Sequence, residues 1–203
     1  MGHHNMAAAG NGSDFSFGDY DRIANLFSDA EAEIKSVEQQ RILTVVPAIN
    51  QLRYAGFHVL QSLVDDQVER AKHIGKAESH AKRSMHDALE AGVFGSLKTI
   101  EGFKDDYRFL ELPAIWPEYV DKRARIEAIR REMLGLRPRN HVSHNDKLRG
   151  YNQELYAICQ EFEDRRPILN EELRRRNKRV LFQCVGLGAA VVAAVATLIA
   201  LFL

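Results

Sequence analysis

Apolar residues between Asp19 and Arg179 recur in alternating steps of three and four, which is the helical period. Ile23, Phe27, Ala30, Ile34 and Val37 form the stripe of a first helix. Pro47 suits either the first turn of a second helix or a kink. Ile49, Leu52, Val59, Leu60 and Leu63 carry that helix to about Val64, and Gly75 marks a break after it. A long third helix is predicted from about Glu78 to Leu110, with Met85, Leu89, Val93, Leu97, Ile100, Phe103, Tyr107 and Leu110 facing inward. Pro113 and Pro117 end it.

A fourth helix, about Glu118 to Leu134, turns Ile126, Ile129 and Met133 inward, and a loop follows over 135–140. The fifth starts near Asn145 or Asp146, both good caps, and ends before Pro167. Its stripe is Leu148, Tyr151, Leu155, Ile158 and Phe162. Those residues span too few heptads for a coiled coil, so they read as bundle core. No segment alternates at period two. The expected class is all-α: a bundle of about five helices followed by a C-terminal transmembrane helix.

Val180–Leu203 reads VLFQCVGLGAAVVAAVATLIALFL and carries no charge. As a helix, these 24 residues extend about 36 Å against a hydrocarbon core near 30 Å. Thirteen of them are Val, Leu, Ile or Phe, which together favour insertion by roughly 4 to 8 kcal/mol. Gln183 lies in the first turn, within reach of the headgroups. Residues 165–179 hold seven basic and two acidic groups, among them Arg174, Arg175, Arg176, Lys178 and Arg179. This basic flank places the N-terminal side in the cytosol and makes the chain tail-anchored. The same cations suit anionic lipid headgroups.

Three segments are therefore expected: a disordered lead over 1–18, a cytosolic helical domain over 19–179, and a single membrane anchor over 180–203. The lead contains no secretory signal, because no apolar run follows a basic start. Gly186, Ala190 and Ala194 lie four apart on one face of the anchor, the small-residue spacing that lets two membrane helices approach closely. A homodimer is the expectation, with the lipid bilayer and an unknown protein as the other partners.

With Lys+Arg 28 against Asp+Glu 28, the chain has no global attraction for nucleic acid. The two cysteines, Cys159 and Cys184, fall in a soluble helix and in the anchor, so reduced thiols are expected, with Cys159 as a small core residue. His80 and His86 lie six apart and do not stack on one helix, and His73 falls in a loop. No metal-binding or phosphate-binding motif occurs, and no cofactor is expected.

One constellation carries chemistry. Arg139, Asn140 and His144 form Arg-x4-His with a polar residue after the arginine. This resembles the Arg-x4-6-His motif of HEPN ribonucleases, small all-α domains that dimerise to form their active site. The resemblance covers six residues. It implies that His144 takes a proton from a ribose 2′-hydroxyl while Arg139 steadies the phosphate. Two readings follow: a membrane-anchored interaction or scaffold module without catalysis, and a membrane-tethered, metal-independent endoribonuclease acting on RNA through Arg139 and His144.

Overall fold

A computed structural model describes residues 17–41, 44–135 and 141–202. The expected lead, apart from its last two residues, and the loop residues Arg139 and Asn140 lie outside the described residues. Six helices follow one another: α1 (Phe17–Arg41), α2 (Val46–Gln61), α3 (Gln67–Asp106), α4 (Leu112–Ile115), α5 (Tyr119–Gly135) and α6 (His141–Phe202). No strand occurs among the described residues, so the all-α expectation stands.

The chain divides into two compact units. The first contains α1, α2, α3 as far as Gly92, and the start of α6 as far as Leu148. Here α1 and α2 run antiparallel. Tyr20 at the start of α1 meets Ser62 just after α2, hydroxyl to hydroxyl at 3.2 Å. Ala30, Ile34 and Val37 of α1 cluster with Val45, Ala48 and Leu52. Pro47 occupies the first turn of α2, where its missing N–H costs nothing.

The second unit contains the rest of α3, α4, α5 and the remainder of α6. An aromatic core forms around Phe162, whose ring lies 4.4 Å from Phe103 and 5.2 Å from Trp116, centroid to centroid. Leu89, Val93, Leu97, Ile100, Phe103 and Tyr107 of the α3 stripe are buried, as are all five positions read for the fifth helix. Cys159 is buried too, its thiol 3.6 Å from the Ser96 carbonyl.

Four expectations are corrected. First, α3 begins at Gln67 rather than Glu78 and passes through Gly75. Asp66 caps it, its carboxylate accepting the backbone N–H groups of Val68 (2.8 Å) and Glu69 (3.0 Å). Ile74 and Ala77, buried on either side of Gly75, offset the roughly 1 kcal/mol that a mid-helix glycine costs. Second, α6 starts at His141 and continues through Pro167. Proline there removes one helical N–H and costs about 3 kcal/mol. Phe162 and Leu169, both buried, hold the two sides of that break. Third, the turn around Pro113 is itself a short helix, α4. Fourth, α2 ends at Gln61 rather than Val64, and its stripe is displaced. Leu52 is buried, but Ile49, Leu60 and Leu63 are exposed.

Candidate functional site

From Val180 to Thr197, α6 is exposed on every side. Val180, Leu181, Phe182, Val185, Leu187, Val191, Val192 and Val195 are all uncovered, with Phe182 75% and Leu187 72% exposed. Among the described residues, none of the most apolar part of this helix is buried, and it is long and apolar enough to cross a membrane. Val180 to Phe202 covers about 34 Å at 1.5 Å per residue. That exposure, length and composition make this segment a candidate membrane span. Thr197 returns its hydroxyl to the Ala193 carbonyl at 2.8 Å, which satisfies it within the helix. Gly186, Ala190 and Ala194 stand exposed on one side, and a Cβ at Gly186 would meet nothing within 4 Å.

The basic flank is also exposed. Arg174, Arg175, Arg176, Lys178 and Arg179 lie on the turns just before the apolar stretch. Arg175 pairs with Glu171 one turn back, and the Arg176 guanidinium lies 5.7 Å from the Phe109 ring centroid.

His144 lies in the first turn of α6, half-buried, with its ring centroid 4.8 Å from that of His86 on α3. His86 Nδ1 lies 3.1 Å from Asn145 Oδ1, where the ring donates. Asn145 itself is buried. The His86 imidazole is thus one neighbour of the His144 ring. Its presumed partner Arg139 lies outside the described residues.

The first unit also holds a histidine cluster that the sequence reading missed. His58 of α2 and His73 of α3 bring their Nδ1 atoms to 3.0 Å. His80, two turns beyond His73, stacks on His58 at 5.4 Å with 16° between the ring planes. His80 Nδ1 donates to Gln51 Oε1 at 2.7 Å, and Tyr54 lies 5.6 Å from the His80 ring. Burial pushes the pKa of His58 down, and the charges of His80, Lys76 and His73 add to this. Burial does the same to His80, helped by Arg83 and Lys76. Both shifts favour the neutral imidazole. Among the described residues, no group of three His, Cys, Asp or Glu side chains is placed to hold a metal ion. The seven-residue spacing of His73 and His80 was the available signal. It was lost because Gly75 read as a break and put His73 in a loop.

In the second unit, Arg125 grips Glu154 through two bonds of 2.7 and 2.8 Å. That bidentate contact holds Glu154 below the usual carboxylate range. The Tyr151 hydroxyl donates to Glu132, and burial together with that carboxylate pushes its pKa up to about 12. These groups tie α5 to α6.

Compared with known protein families, curated proteins and solved structures, the chain matches none.

Proposed function

We propose that this protein is a single-pass, tail-anchored membrane protein whose helical part faces the cytoplasm and acts as an interaction module. The observation that carries the reading is the exposed apolar end of α6, which no other described part of the chain covers. The cations at 174–179 support the cytoplasmic orientation, since Lys and Arg collect on that side of a span. The packing of the half-buried His144 ring on His86 supports a structural role for that histidine.

The test is fractionation. The full chain is expected to remain with membranes through carbonate extraction and to be released when 180–203 are deleted. An N-terminal tag should be digested by protease added to the cytoplasmic side of sealed vesicles. A full chain recovered in the soluble fraction without detergent overturns the anchor. A protected tag overturns the orientation.

A further inference from the structure

Apart from Leu52, helix α2 turns small side chains inward and large ones outward. Ala48, Leu52 and Ala55 are its buried residues. Val46, Ile49, Phe57, Leu60 and Leu63, from the helix and the turn after it, are exposed, Leu60 by 66% and Leu63 by 70%. A helix that is apolar on its outer side as well is one that another surface covers. Beside this ridge, an apolar groove of about 470 Å³ runs between α1 and α2. Ile23, Phe27 and Val59 line it, with Ala24, Ser28 and Gly56 as its small residues. A Cβ at Gly56 would meet nothing within 4 Å, so the groove is open at that point.

We propose that the occupant is a second copy of this chain, the α2 ridge of each copy seated in the α1/α2 groove of the other about a twofold axis. The inference rests on the interaction reading above and names its partner. Shape is the first argument. Leu60 and Gly56 lie one turn apart on the same helix, so each copy offers both a knob and a hole, as a two-fold interface requires. Charge is the second. The outer face of α2 carries the cation Arg53, and the turn beyond it carries the exposed Asp65. An antiparallel pairing centred between Phe57 and Leu60 brings each Arg53 level with the Val64–Asp65 stretch of the other copy. Two copies anchored in one bilayer also share a plane, which raises their effective concentration.

The experiment uses the full chain, labelled at its N-terminus with donor or acceptor dyes and reconstituted in phosphatidylcholine vesicles. Flotation reports insertion, and energy transfer reports association. Gly56→Leu fills the groove without a clash, so its melting temperature should equal or exceed that of the unsubstituted chain while association weakens at least tenfold. Arg53→Asp and Asp65→Arg should each weaken association, and the double exchange should restore it. Vesicles that float without energy transfer overturn the second-copy proposal and leave the anchor intact. Unchanged association in Gly56→Leu and Arg53→Asp overturns it equally. A chain that does not float overturns the anchor instead. Sedimentation equilibrium of that soluble chain and its Gly56→Leu variant then decides the pairing: a dimer lost in the variant supports it, and a monomer, or a dimer kept in the variant, overturns it.

Discussion

The Nδ1 atoms of His58 and His73 lie 3.0 Å apart, so one ring donates to the other and the contact survives only while one of those nitrogens is unprotonated. His80 stacks on the same ring, with Lys76 and Arg83 as the neighbouring cations and Glu69 3.9 Å from His73 Nε2.

That arrangement makes the first unit sensitive to mild acid. In the folded chain, the His58 and His80 pKa values are lowered. In the unfolded chain they return to about 6.5. The unfolded state therefore binds more protons as pH falls below that value, and stability present above it is lost on the way down. The melting temperature of the full chain in detergent should fall between pH 7.5 and 5.5. Replacing both rings in His58→Gln/His80→Gln should flatten the dependence. An equal slope in the double variant would remove the cluster as its cause.

Tyr151 predicts the opposite end of the scale. Its folded pKa is raised to about 12, above the value near 10 that it has when unfolded. Its contribution is complete below pH 10 and is lost as pH rises towards 12, because the unfolded tyrosine ionises first. Absorbance at the tyrosinate band should show one residue titrating late. Tyr151→Phe should remove that late component and reduce the alkaline loss of stability.

Leu97 is 7% exposed in the α3 stripe, and Lys98 beside it is exposed. Leu97→Asp buries an unpaired carboxylate and should cost about 3 kcal/mol or more, enough to approach unfolding of a small unit. Lys98→Asp should stay within about 0.5 kcal/mol. Denaturant titration of both variants checks the difference, and equal midpoints would contradict the burial of this face.

Ser84 is fully buried and donates its hydroxyl to the Ala48 carbonyl at 2.7 Å, tying α3 to α2. Ser84→Ala should lose about 1 kcal/mol, the net worth of such a bond. Ser84→Leu should lose more, because it forces apart two helices that meet through Ala48 and its small neighbours. A leucine variant no less stable than the alanine variant would show that the contact is loose.

The helical class, the long apolar C-terminal helix and most of the core were legible in the sequence. A period between three and four is a property of the chain itself, as is a charge-free run long enough to cross a bilayer. The stripes of α1, α3, α5 and the early part of α6 were read correctly because on those helices the large apolar residues are the ones that pack. On α2 they are not. Close approach to α3 selects Ala48, and the larger Ile49, Phe57 and Leu60 are left outside. Size and periodicity along one helix do not reveal which neighbour comes nearest. The tertiary structure also carried α3 through Gly75 and α6 through Pro167, since burial on both sides of a weak residue outweighs its local cost. The histidine cluster depended on that same continuity: His58 and His73 lie fifteen residues apart, and only the packing of α2 on α3 brings their rings together.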